Sequence, residues 1–351
     1  MRCKELITLA VSLLVLFSCA PKDRYVSFSG YAQGGIYTVK FNLNGRDGMI
    51  KETPEAIRDS VEAILQNIDN SLSGYNKNSL LSAFNSGLSI KPDSLFIDIY
   101  EKAYGFYNET DGVLDVASAP LFDIWGFGFK SGEMPDDSKV KETLASSGMK
   151  RLVKDIRAAA NDGTLTGTEL LADSGQVAPE LNYNAIAQGY SCDVVARYLY
   201  SLGVKDMMVD IGEIFCDGRN PSGKPWTIGI DRPVDGNNAL GADLQGIFRI
   251  PSGAYGVVTS GNYRKYYIKD GKKYAHTIDP RTGYPVAHNL LSATVLASDA
   301  TSADAYATYC MVVGLDAAME FLTSREDLEG CLVYDENGEF RTWTSSGFVL
   351  E

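Results

Sequence analysis

Tyr274-Ala-His-Thr-Ile-Asp-Pro-Arg-Thr-Gly-Tyr-Pro-Val286, followed closely by Thr301-Ser-Ala-Asp-Ala-Tyr-Ala-Thr308, is the part of the chain around which the rest is arranged. The first stretch reads as a strand end running into a tight turn. Asp279-Pro280 opens the turn, Gly283 supplies a positive φ, and Pro285 forbids a helix. His276 stands beside that turn; the only other histidine is His288. The second stretch reads as a helix start, capped by Thr301 or Ser302, with Met311-Val-Val313 continuing the apolar run. Asp304 and Thr308 lie four apart and share one face. A carboxylate one turn from a hydroxyl offers two hard oxygens, a pair that suits Mg²⁺. Spacing alone favours the plainer reading, an Asp drawn to the helix N-terminus by the dipole and a Thr bonded back to a carbonyl.

The 351 residues are enough for a large core in one domain or two tightly packed ones. A net charge of −13 leaves no basic stripe for neutralising phosphates, which argues against a nucleic-acid partner. A phosphate ligand is still compatible with this charge, provided a bound cation inverts the local field.

The first residues read as a targeting segment. Arg2 and Lys4 precede the apolar run Leu6 to Phe17, which is too short to span a bilayer as a mature helix. The run ends at Leu16-Phe-Ser-Cys19, where a lipoprotein signal would be cut and Cys19 acylated. Residues 1–18 are therefore expected to be a signal peptide, 19–29 a tether and 30–351 the functional domain. Removing 1–18 takes away Arg2, Lys4 and Glu5 and leaves a net charge of −14. The mature chain is expected at the extracytoplasmic (periplasmic) face of a bacterial membrane, held by its lipid. Cys192, Cys216, Cys310 and Cys331 remain, with no Cys-x-x-Cys pair, so zinc and dithiol chemistry are disfavoured. Buried thiols are expected; an oxidising compartment permits a disulfide that sequence cannot pair.

Along the domain, Tyr25 to Phe41 alternates as a hairpin around Gly34-Gly35, with Ile36 to Phe41 the cleaner strand. Pro54 opens a helix with Ile57, Val61, Leu65 and Ile68 at helical spacing. Ser71 to Ser79 is a polar loop carrying Tyr75, and Phe96 to Tyr107 is a second helix. In Pro120-Leu-Phe-Asp-Ile-Trp-Gly-Phe-Gly128, Trp125 and Phe127 either flank a flat ring or lie in the core under a turn. A helical stretch before 150 and short strands over 151–180 follow, with turns at Asp162-Gly163 and Ser174-Gly175. A strand from Glu180 reaches a loop and then a helix, Ile186 to Leu202, closed by Gly203. That junction exposes backbone amides at a helix N-terminus, a ready anion site, and matches neither a P-loop nor a Rossmann fingerprint. Met207–Ile211, Trp226–Ile230, Gly246–Ile250, Ala254–Ser260, Arg264–Lys269 (turning at Asp270-Gly271) and Leu290–Ala297 read as strands. Residues 302–314 and 316–323 are helical, and a last hairpin closes on Glu336-Asn-Gly338. Helices mixed with antiparallel hairpins make the fold class α+β.

Taken together, Ser73-Gly-Tyr-Asn-Lys-Asn-Ser79, Pro120 to Gly128, Ala185-Ile-Ala-Gln-Gly-Tyr-Ser-Cys-Asp193, Val209-Asp-Ile-Gly212, His276 to Gly283 and Ala303-Asp-Ala-Tyr-Ala-Thr308 resemble the FAD:protein FMN transferase (ApbE-type) family. The resemblance runs in order from about Gly30 to about Tyr334. It implies mixed, largely antiparallel sheets flanked by helices in an ApbE-like (T-fold-like) architecture. It also implies Mg²⁺-dependent transfer of FMN from FAD to a Thr or Ser hydroxyl of a target protein, with release of AMP. Such chemistry asks mainly for positioning and charge neutralisation. Carried over by position, Asp304 and Thr308 hold the metal with the Ala185 carbonyl. Tyr75 and Ile124-Trp125-Gly126 line the flavin or adenine, while Gln33, Asn182, Gln188 and Ile278 also touch FAD. His276 lies near the pyrophosphate and either takes the acceptor's proton or orients the turn. The implied partner is an acceptor flavoprotein, such as a subunit of a membrane redox complex.

The chain departs from the family's common pattern at three places. Asn182 stands where Asp is frequent, Gln188 where Lys or Glu is frequent, and Gln33-Gly-Gly35 replaces Met-Gly-Thr. Asn and Gln still hydrogen-bond adenine or ribose, but without charge. Two other readings share the site: an FAD pyrophosphatase with water as acceptor, and a flavin-binding lipoprotein without turnover.

Overall fold

The computed structural model describes residues 24–129, 134–160, 163–172, 177–234, 241, 243–262, 266–269 and 272–351, without the side chains of 266–269 and 272–274. Strands β1 (Tyr25–Ala32) and β2 (Gly35–Asn42) pair antiparallel with Ala32 opposite Gly35. Only Gln33 and Gly34 remain to turn, and both take positive φ, 51° and 82°. That is the two-residue turn whose twist suits a hairpin. The later strands are β3 (Met207–Asp210), β4 (Ile214–Asp217), β5 (Thr227–Asp231), β6 (Leu244–Arg249), β7 (Tyr255–Gly261), β8 (Tyr266–Lys269), β9 (Lys272–Ala275), β10 (Ile278–Asp279), β11 (Tyr284–Pro285), β12 (Leu290–Ala297), β13 (Glu329–Glu336) and β14 (Glu339–Thr344). Eight of them form one antiparallel sheet in the order β1-β2-β3-β4-β7-β12-β13-β14. The last hairpin turns on Asn337-Gly338, again both at positive φ.

Both faces of this sheet are covered, which explains why its central strands read as nearly continuous apolar runs. Val258, Val295 and Leu332 pack toward the helices, while their neighbours Val257, Leu296 and Val333 pack on Trp226, Phe248 and Phe348 of the opposite layer. That second layer is the β5–β6 hairpin with the chain's end, where the Phe248 and Phe348 rings stack at 3.9 Å. The helices longer than a single turn are α1 (Pro54–Leu72), α2 (Leu80–Asn85), α3 (Ser94–Glu109), α4 (Ala119–Ile124), α5 (Asp137–Ser146), α6 (Ala187–Ser201), α7 (Ala300–Val313) and α8 (Leu315–Ser324). In α1, Thr53 caps the first turn, Pro54 opens it, and Ile57, Val61, Leu65 and Ile68 bury one face. The α+β class and the expected antiparallel sheet are both present. Cys192, Cys216, Cys310 and Cys331 are free and buried.

Four local expectations are corrected. The cap of α7 is Asp299, whose carboxylate accepts the Ser302 N–H at 2.9 Å, and not Thr301 or Ser302. Residues 151–180 form no run of strands in their described part. They fold as turns, a one-turn helix at Ile156–Ala159 and isolated bridges such as Ile90 to Leu165. The strand expected from Glu180 is an extended segment without a strand neighbour. The Asn85 side chain brackets Leu181, donating to its carbonyl and accepting from its N–H at 2.8 Å each, so one amide replaces a neighbouring strand. Tyr25 to Ser29, assigned to the tether, already pair with Thr38 to Asn42. The signal segment, Cys19, Asp162, Ser174-Gly175, Arg264 and the Asp270-Gly271 turn lie outside the described residues.

α7 crosses α6 and β7 at a spacing only glycine allows. A Cβ on Gly256 of β7 would sit 2.3 Å from Ala300 Cα, and one on Gly189 of α6 would sit 2.2 Å from the Ala300 carbonyl oxygen. Those contacts are with backbone, which cannot swing aside. Gly256→Ala is expected to lower unfolding stability by about 2–3 kcal/mol in a denaturant titration, as overpacking does. A change under about 0.5 kcal/mol, ordinary for a surface site, would contradict the close packing.

Candidate active site

The start of α6 and the start of α7 lie side by side, and each helix holds the other's first turn. On α6, Asp193 accepts the N–H groups of Ala300 and Thr301 at 2.9 Å each, together with the Thr301 hydroxyl. On α7, Asp304 accepts the Gly189 N–H at 3.0 Å through Oδ2. An uninterrupted helix would give that N–H to the carbonyl of Ala185, four residues back. Among the described residues, the Ala185 carbonyl accepts no hydrogen bond. Thr308, one turn beyond Asp304, places its hydroxyl 3.4 Å from that of Ser260 on β7. Carboxylate, hydroxyl and free carbonyl thus belong to elements joined directly to one another.

Both carboxyls are buried, at 5 % exposure for Asp304 and 7 % for Asp193. Among the described residues neither forms an ion pair with a basic side chain. Burial pushes the Asp304 carboxyl up to about 8; the Gly189 N–H opposes the rise and Asp193 adds to it. Burial likewise raises Asp193 to about 6, opposed by the bonds from Thr301 and Ala300. A buried carboxylate that lacks a counter-charge is where a cation gains most.

A second group of motifs gathers beside this junction. The Trp125 indole N–H donates to the Gly283 carbonyl at 2.8 Å and joins the α4 loop to the turn after His276. Trp125 packs with Leu121, Val140 and Ile278, so the side chains of Trp125 and Ile278 belong to a small core. Both side chains are buried, Trp125 at 6 % and Ile278 at 1 % exposure, under the turn after His276. Gly126 beside it is exposed with φ 76°, and Ile124 is half-buried. His276 is half-buried with its ring edge-on to Phe127 at 6.5 Å. Asp279 accepts the Gly283 N–H on its carbonyl at 2.8 Å and pairs through its carboxylate with Arg281, closing the turn.

The remaining expected residues reach the same region. Tyr75 is 61 % exposed, its hydroxyl accepts from the Asn184 amide at 3.2 Å, and its ring meets Phe129 edge-on at 5.0 Å. Asn182 is buried and accepts the Asn184 N–H at 2.9 Å, shaping the approach to α6. Gln188 donates to the Ile211 carbonyl at 3.2 Å, across the glycine turn between β3 and β4. Gln33, in its left-handed backbone, donates to the Ser191 hydroxyl of α6. Sequence reading left Asp193, Gly189, Asn184, Ser191 and Ser260 without roles. Asp193 carried a signal, since an Asp between Cys192 and Val194 on a buried helix face needs a partner. The bonds of Gly189 and Ser260 depend on elements far apart in the chain and had none.

Comparison with known proteins places this arrangement. Residues 34–332 match the ApbE family. A Haemophilus influenzae protein named FAD:protein FMN transferase is 34 % identical over 356 residues, covering 98 % of this chain and 97 % of its own length. Its Escherichia coli K12 namesake is 32 % identical, covering 83 % of this chain and 80 % of its own. Among solved structures, the Pseudomonas stutzeri flavinyl transferase ApbE, apo form, superposes with a TM-score of 0.76 at 29 % identity over 93 % of this chain and 96 % of its own. The Vibrio cholerae flavin transferase ApbE gives 0.74 at 29 % identity over 93 % and 98 %.

The raised Asp304 carboxyl has a stability consequence in metal-free protein. A carboxyl higher in the folded than in the unfolded state stabilises fully below its unfolded value, near 4, and loses that contribution as pH rises toward about 8. In EDTA, the wild-type Tm is expected to fall from pH 6 to pH 8.5 more steeply than that of Asp304→Asn, which keeps an acceptor for Gly189. Parallel Tm profiles for the two proteins would contradict the burial of an ionisable carboxyl there.

Proposed function

This chain belongs to the ApbE family, and we propose that it is, like its named relatives, an FAD:protein FMN transferase. It moves FMN from FAD onto a target protein. The observation that carries the site is the buried Asp304, with Thr308 one turn on and the free Ala185 carbonyl beside the Gly189 N–H that Asp304 has taken. These are hard oxygens with one carboxylate among them, the donor chemistry of a Mg²⁺ that completes its octahedron with water and phosphate. The residues present therefore fit the cation that the family resemblance implies. When bound, Mg²⁺ would neutralise charge on the bridging diphosphate of FAD.

The protein's own residues supply the rest. The first turn of α6 turns the positive end of its dipole toward the diphosphate. Tyr75 offers an exposed aromatic face, and the backbone at Ile124 and Gly126 lies open beside the Trp125 anchor. Asn182, Gln188 and Gln33 position the nucleotide by neutral hydrogen bonds. A Thr or Ser hydroxyl of the acceptor attacks the phosphorus on the FMN side; the P–O bond to the AMP half breaks and AMP leaves. His276 takes the proton released from that hydroxyl and returns it to solvent or to the leaving phosphate.

The segment 1–18 and Cys19 support export and lipid anchoring, so the enzyme works at the extracytoplasmic (periplasmic) face of a bacterial membrane. Its acceptor is an extracytoplasmic flavoprotein, such as a subunit of a membrane redox complex. Membranes from cells with and without this chain, run on a denaturing gel and viewed for flavin fluorescence, test the reading. A fluorescent band is expected only where the chain is present and is restored by the wild type but not by Asp304→Ala, whose turnover falls at least ~100-fold. Identical bands in both membranes, or purified enzyme releasing FMN and AMP while no protein is labelled, would overturn it, the latter in favour of a pyrophosphatase.

A further inference from the structure

We infer that Asp193 is a positioning residue for the cation site, holding α7 where Asp304 and Thr308 can share a ligand with the Ala185 carbonyl. The inference rests on the cation reading above and adds a residue to it. Two ties join α6 and α7. Asp193 grips the first residues of α7 through Ala300 and Thr301, and Asp304 grips the first turn of α6 through Gly189. Asp193 and Gly189 are four apart on one helix, and Thr301 and Asp304 three apart on the other, so the ties sit about one turn apart. One tie alone would act as a pivot. Two fix the rotation of α7 about its own axis, and that rotation decides where the Asp304 and Thr308 oxygens point.

Capping does not account for Asp193. Asp299 already accepts the Ser302 N–H and hydroxyl of α7 and is the local cap. Asp193 lies on a different helix and is buried, a placement whose desolvation cost helix capping alone does not require. Its contacts go to the residue wedged between Gly189 and Gly256, where the path of α7 is set.

The test is a Mg²⁺ titration of FAD-saturated protein, read as the rise in Tm, with FAD binding in EDTA measured separately by flavin fluorescence polarisation. Asp193→Asn is expected to raise the Mg²⁺ concentration for half the Tm rise by ~10-fold or more, as loss of a support behind metal ligands does. FAD binding in EDTA should stay within about twofold. Asp299→Ala is the control: it lowers Tm through the lost cap and leaves the Mg²⁺ requirement unchanged. Thr301→Val, which removes one donor to Asp193, is expected to raise the requirement in the same direction and decides the matter should Asp193→Asn fail to fold. An unchanged Mg²⁺ requirement in the Asp193 and Thr301 variants, or an equal rise in Asp299→Ala, would overturn the inference. Absence of any Mg²⁺-dependent Tm rise in the wild type would overturn the cation reading itself.

Discussion

The mutual grip of two helix starts is the constraint from which the site follows. Ala300 is pressed between Gly189 and Gly256 at distances that leave no room for a side chain on either. The amides exposed by that approach are met by Asp193 and Asp304, so that close packing and polar satisfaction are solved together. The same solution places a carboxylate in a buried position without a counter-charge among the described residues. It also diverts the Gly189 N–H from the Ala185 carbonyl. The proposed cation site would be a by-product of how these helices meet.

Around that junction the fold acts as a frame for loops. The eight-stranded sheet is buried on both faces and supplies rigid ends. β7 brings Ser260 to Thr308, the β1–β2 turn brings Gln33 to Ser191, and the β3–β4 turn brings Ile211 to Gln188. The Trp125 indole ties the α4 loop to the turn after His276, joining two motifs 158 residues apart. Tyr75 remains exposed at the edge of this group.

The pieces of the fold legible in the sequence were those set by local physics. Pro54 and the apolar spacing of α1, the Asn337-Gly338 turn and the strand β12 all follow from dihedral preference and periodicity, whereas the first hairpin turns on Gln33-Gly34, one residue before the expected Gly34-Gly35. The Asp304–Thr308 pair was legible as a shared face, and its chemistry became specific only beside five other motifs. What escaped was set at a distance. The stretch at Leu181 looked like a strand because its residues favour extension, yet its backbone partner is the side chain of Asn85, about a hundred residues earlier. Asp299, Thr301 and Ser302 are all competent caps for α7, and only the backbone angles of Asp299 choose among them. Asp193 appeared within a motif, but its partners lie on a helix more than a hundred residues away.

The proposed cation would sit between α6 and α7. Crystals grown with FAD and Mn²⁺, with anomalous scattering used to locate the metal, examine this most directly. The expected result is a peak within about 2.0–2.4 Å of an Asp304 carboxylate oxygen, the Thr308 hydroxyl and the Ala185 carbonyl, with diphosphate oxygens completing the shell. A diphosphate bound at another face, with no metal peak between these two helices, would contradict it.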